Sequence, residues 1–73
     1  MSGQLRQRAI LEALAAEEDP LTIRQIAPRV GLSSASTVQS HLANLARLGL
    51  VRRVVGWELT ETGLMAVGEG GER

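Results

Sequence analysis

In the first part of the chain, apolar residues recur at Leu5, Ala9, Ile10, Ala13 and Leu14, with Arg6, Arg8, Glu12 and Glu17 largely off that set. The spacing gathers the apolar set into one stripe and predicts a first helix from Leu5 to about Glu17. Glu17-Glu18-Asp19-Pro20 stops it, because acids oppose the dipole at a helix C-terminus and Asp-Pro favours extended or turn backbone. Thr22-Ile23-Arg24-Gln25 then has the form of a capping box, in which Thr and Gln side chains satisfy each other's backbone N–H groups. Helix two is expected to start at Ile23 and run to about Val30, with Gly31 as its left-handed terminator. Pro28 falls inside it, removes one hydrogen bond and crowds the Arg24 carbonyl, so a short, kinked helix is expected.

Gly31-Leu32-Ser33 makes a turn, and Ser33 or Ser34 caps a third helix that continues to about Leu48, before Gly49. Val38, Leu42, Leu45 and Leu48 form its apolar stripe. The opposite face holds Ser36, Thr37, Gln39, Ser40, Ala43, Asn44 and Arg47, small or polar groups without negative charge. Leu50 to Val55 is rich in β-branched residues and reads as a strand. Gly56 supplies a positive-φ turn position, and Trp57-Glu58-Leu59 returns as a second strand. Thr60 caps a last helical segment over Glu61 to Val67, with Leu64 and Met65 or Val67 inward. Residues 1–67 are expected to form one domain, and 68–73 a flexible polar tail.

Seventy-three residues suffice for one domain near the lower size limit for folding without a metal or a disulfide. The absence of cysteine removes disulfides, thiol catalysis and cysteine-based metal sites, and one histidine cannot build a metal site unaided. Apolar runs are far shorter than the roughly 20 residues that cross a bilayer, and no signal-peptide pattern is present, so a soluble cytoplasmic protein is expected. A paired-carboxylate site, a Ser-His-Asp set and a phosphate loop are all lacking. An enzyme is therefore not expected, nor a cofactor or small-molecule ligand.

The formal net charge is zero, yet it is strongly polarised: Pro20 to Trp57 contains five arginines and no acid, while the flanking segments are both net acidic. All eight basic residues are arginine. Arginine suits bidentate phosphate and guanine contacts, although it also fills positions away from the acid-free segment, as a GC-rich coding bias would produce. Positive charge on a helix-turn-helix is the electrostatic footprint of a duplex-DNA binder.

Helix, helix-turn-helix and hairpin in that order define a mainly α fold with a small β-hairpin (α+β). This is a winged helix-turn-helix of three helices, a two-stranded wing and a short C-terminal helical segment. In such a layout the helix over 34–48 reads the major groove, and the hairpin over 50–59 lies against the backbone or minor groove. Ser and Thr donate or accept hydrogen bonds, Gln and Asn pair with adenine, and the Thr methyl meets thymine. Arg52 and Arg53 enter the hairpin where they can neutralise phosphates, and Arg24 and Arg47 can do so from the flanks. Successive strand residues point to opposite faces, so only one of Arg52 and Arg53 is expected to face DNA.

The stretches Thr22-Ile-Arg-Gln-Ile-Ala, Val30-Gly-Leu-Ser-Ser-Ala-Ser-Thr-Val-Gln-Ser-His-Leu-Ala-Asn-Leu and Leu48-Gly-Leu-Val-Arg-Arg53 resemble the N-terminal DNA-binding domain of LexA-type repressors. The resemblance covers roughly residues 5–54. It is most specific over Ser34-Ala-Ser-Thr-Val-Gln-Ser-His-Leu, which is similar to the start of that family's recognition helix. It implies that Ser34, Ser36, Thr37, Gln39 and Ser40 face an operator, and that Val38, His41 and Leu42 point inward. LexA-type proteins continue into a self-cleaving peptidase domain with a Ser-Lys pair. These residues include no lysine, so no autocleavage is expected of them. Leu59-Thr-Glu-Thr-Gly63 instead resembles the wing-to-helix junction of MarR- and ArsR-type regulators.

The expected function is therefore sequence-specific binding of double-stranded DNA by a transcriptional regulator, a repressor by occupancy. A homodimer on a two-fold site would reinforce one short helix and a minimal wing. The competing reading is a winged-helix protein-interaction module, which would place large apolar residues where helix three shows Ser, Thr, Gln, Asn and Arg. His41, three residues after Val38 and four before Leu45, is expected to pack and hydrogen-bond. Trp57, the sole aromatic, is expected to cover the small core from the hairpin.

Overall fold

The elements follow in the order α1 (Ser2–Ala15), α2 (Ile23–Arg29), α3 (Ala35–Arg47), β1 (Val51–Arg53), β2 (Trp57–Leu59) and α4 (Glu61–Gly71). The computed structural model describes residues 2–32 and 34–71. The fold is the α+β winged-helix layout, with β1 and β2 antiparallel in the register Val51↔Leu59, Arg52↔Glu58 and Arg53↔Trp57.

Local chemistry accounts for most boundaries. At the start of α2 the capping box is complete: the Gln25 N–H donates to Thr22 Oγ1 at 3.3 Å, and the Thr22 N–H donates to Gln25 Oε1 at 2.9 Å. Ser34 caps α3, its Oγ accepting from the Thr37 N–H at 3.4 Å, while the alternative cap, Ser33, lies outside the described residues. Both helices stop in the same way. Gly31 at φ +74° and Gly49 at φ +81° reverse the chain. After α2, Leu32 N–H donates to the Ala27 carbonyl and Gly31 N–H to that of Pro28. After α3, Leu50 N–H donates to Leu45 and Gly49 N–H to Ala46. This is the paired closure that a left-handed residue at a helix end permits. Pro28 falls in the last turn of a seven-residue helix, where its missing N–H removes a single bond. Thr22→Ala should cost the domain about 1 kcal/mol. A urea midpoint equal to that of the unsubstituted protein would show that the box contributes nothing.

The core consists of Ile10, Leu11, Leu14, Leu21, Ile26, Val38, Leu42, Leu45 and Val51, with Trp57, Leu59 and Val67 packed against it. Its composition corrects the expected apolar stripes in several places. On α1 the inward face is Ile10, Leu11 and Leu14, whereas Leu5 is 71% exposed and Ala9 and Ala13 are half-buried. Burying Leu11 removes more apolar area from water than burying either alanine, so the helix rolls toward it. Leu48 follows the last turn of α3 and is exposed, as are Leu64 and Met65, which leaves Val67 as the α4 residue packed on the core. The helix α1 ends at Ala15, before the acids, and α4 continues past Val67 to Gly71, with Glu72 and Arg73 outside the described residues.

The hairpin is held from one side by the α1–α2 connection. Leu21 and Trp57 form a bridge in which Leu21 N–H donates to the Trp57 carbonyl at 3.0 Å and Trp57 N–H to that of Leu21 at 2.7 Å. Gly56 therefore serves a purpose other than the positive-φ turn expected of it. Among the described residues only Gly31 and Gly49 have positive φ, and a Cβ on Gly56 would stand 2.7 Å from the Leu21 carbonyl oxygen. Its lack of a side chain lets two backbones approach closely.

Candidate nucleic-acid interface

Burying Val38, Leu42 and Leu45 turns the other side of α3 outward, and the 3.6-residue period divides that side into rows. Ser36, Ser40, Ala43 and Arg47 are exposed and lie opposite the buried stripe. Thr37 and Asn44 fall on the flank shared with His41. Gln7 of α1 lies within hydrogen-bonding distance of His41, with Nε2 and Nδ1 3.4 Å apart. Gln39 falls on the other flank, toward the hairpin. Ser34 is engaged at the cap, its Oγ also lying 3.0 Å from Ser36 Oγ. The outward row contains no acid and no apolar side chain larger than Ala43, and this surface can approach the polar edges of base pairs in a major groove.

The arginines of the acid-free segment are not equivalent. Arg52 Nε donates to Glu58 Oε2 directly across the hairpin at 2.6 Å, and Arg29 reaches Glu17 at 3.3 Å. Arg24, Arg47 and Arg53 form no ion pair among the described residues. Strand alternation places Arg53 on the same side as buried Val51 and Arg52 on the other. Arg53 thereby joins Arg24, Gln39, Thr22, Val55 and Trp57 around a groove of about 440 Å³. At the hairpin tip Val55 is 98% exposed, so the wing ends in an apolar knob with Arg53 behind it.

The sequence separated the outward residues of α3 from the inward ones but not its flanks from one another. It gave no sign that Arg24 and Gln39 share a groove with the wing, because nothing local ties α2 to the hairpin. Pairing of Arg52 with Glu58 follows only once the strand register is known. Groups of His, Asp and Glu able to hold a metal ion are absent among the described residues. None of the described helices is long and apolar enough to cross a membrane.

The helices α1 to α3, the tight turn at Gly31, the polar outward face of α3 and the wing define a winged helix of the DNA-binding class. Residues 4–57 match the family described as the LexA DNA binding domain, and the chain belongs to that family. It is 46% identical over 52 residues to the LexA repressor of Brevibacillus brevis, covering 66% of this chain and 25% of that protein. The LexA repressor of Bacillus subtilis gives the same identity and coverage. That of Clostridium acetobutylicum is 53% identical over 34 residues, 47% of this chain and 17% of that protein. The chain thus spans about a quarter or less of the length of these curated relatives. No solved structure gives a significant match.

Proposed function

We propose that this chain binds double-stranded DNA in a sequence-specific manner and represses transcription by occupying its site, as the name of its relatives suggests for them. The observation that carries this reading is the outward row of α3, which is acid-free and, apart from Arg47, built from small side chains. In this assignment Ser36, Thr37, Gln39, Ser40 and Asn44 reach base edges along the row and its flanks, with Ser34 holding the helix start. Arg24, Arg47 and Arg53 meet the backbone, whereas Arg52, on the opposite side of β1 and paired with Glu58, is the arginine of the wing that turns away from it. Two copies occupy a two-fold site, which compensates for the short reading helix.

Selection from a random duplex pool at near-physiological salt should enrich an inverted repeat. A single half-site would remove the two-copy arrangement, and no enrichment would remove specific recognition and favour a protein partner for α3. On the selected duplex, Ser40→Ala should reduce discrimination at one base pair by up to about 1 kcal/mol. Arg47→Ala should weaken selected and scrambled duplexes by the same factor. Equal losses on both duplexes for Ser40→Ala would contradict its base-reading assignment.

A further inference from the structure

The groove between α2, α3 and the wing combines two features that a DNA face does not require. Its polar rim is drawn from three separate elements, with Arg24 on α2, Gln39 on α3 and Arg53 at the end of β1. Its wall is apolar, from half-buried Ile23 and Trp57, with exposed Val55 at its lip. Both guanidinium groups lack a carboxylate partner among the described residues, whereas Arg52, one position away on the same strand, has one. An anion seated in the groove would give both guanidinium groups the charge partner they lack. The apolar wall suits the sugar carbons attached to such an anion.

We propose that Arg24 and Arg53 clamp a single backbone phosphate of the bound duplex, with Gln39 supplying an amide donor and Val55 and Trp57 packing on the adjoining deoxyribose. This rests on the DNA-binding reading and adds a defined anchor to it. The clamp ties α2 and the wing to the same point on the backbone, and so sets the angle at which α3 enters the groove. Gln39 then acts at the boundary between backbone and base contact, while Ser36 and Ser40 lie further along the reading row.

Counterion release separates a shared phosphate from two independent ones, because the salt slope of log affinity changes by about 0.9 for each phosphate neutralised. With a shared phosphate, Arg24→Ala and Arg53→Ala each leave the slope near that of the unsubstituted protein, since one arginine still covers the site. The double variant loses about 0.9. With independent phosphates each single variant loses about 0.9 and the double about 1.8, and that result would overturn the clamp. Replacing both arginines by lysine should restore the slope, which shows that charge at the groove, and not a folding defect, is being read.

A scan of the selected duplex with neutral methylphosphonate linkages provides a second readout. It should find one position per bound copy that costs the unsubstituted protein about tenfold or more and costs the double alanine variant nothing. Sensitivity at two positions, each lost with a different arginine, would also overturn the clamp. A slope near zero for the unsubstituted protein would instead remove DNA binding itself, and the clamp with it.

Discussion

Leu42→Ala should remove roughly 3 kcal/mol of stability, within the range of about 2 to 5 kcal/mol for emptying a fully buried leucine site. Leu42 has no exposed surface and sits between Val38 and Leu45 on the inward stripe of α3. Truncating it leaves a void lined by the same core residues that hold α1 and α2 against that helix. A chain of this length has little reserve. At about 0.05 to 0.15 kcal/mol per residue, a single loss of this size takes a large part of its total. The variant should therefore melt many degrees lower, and its DNA affinity should fall only as far as the unfolded fraction grows. Leu42→Met, which nearly conserves volume, should cost less than about 1.5 kcal/mol. Equal melting temperatures for the two variants would mean that α3 is not seated by this side chain.

Gly63→Ala should be comparably damaging, although it adds only one methyl group. A Cβ there would overlap the Leu50 carbonyl oxygen and press against Leu59. That carbonyl cannot withdraw freely, because it accepts the Thr60 N–H at 3.1 Å. The neighbouring Gly49 carbonyl accepts the Thr60 hydroxyl at 2.6 Å, and Thr60 Oγ1 in turn accepts the Gly63 N–H at 3.1 Å. The start of α4 is thus fastened to the end of α3, and the overlap can be relieved only by lifting α4 from its seat. About 3 kcal/mol is expected, the upper part of the usual range for overpacking. Gly68→Ala in the same helix meets open space and should stabilise by about 0.5 to 1 kcal/mol through helix propensity. Thermal melts of the two variants should move in opposite directions, and a Gly63→Ala melt unchanged from that of the parent would rule out the close approach.

These two residues show which parts of the structure could be read from the chain and which could not. Leu42 belongs to a stripe visible in the spacing of Val38, Leu42 and Leu45, because one helix face is a local property. The capping residues Thr22, Gln25 and Ser34 and the terminators Gly31 and Gly49 were legible for the same reason: side chain and backbone partner lie within a few positions. Thr60 is recognisable as a cap, but its bond to Gly49 is not, and nothing local marks Gly63 as standing against Leu50. The roll of α1 toward Leu11 depended on the relative size of leucine and alanine, which a simple apolar pattern does not weigh. Within the candidate interface, the polarity of α3 was evident from its residues. The division between Arg52 and Arg53 needed the strand register, and the meeting of Arg24, Gln39 and Arg53 needed the whole fold.

The bridge between Leu21 and Trp57 gives the molecule a built-in optical reporter. Trp57 is the sole aromatic residue among 73, so intrinsic emission and near-ultraviolet dichroism of the domain arise from this one indole. The ring is half-buried beside the groove, and its backbone is tied to the connection between α1 and α2. A change in its spectrum therefore reports the surroundings of the wing directly. Opening of the hairpin, filling of the groove and global unfolding can be followed in solution without attaching a dye.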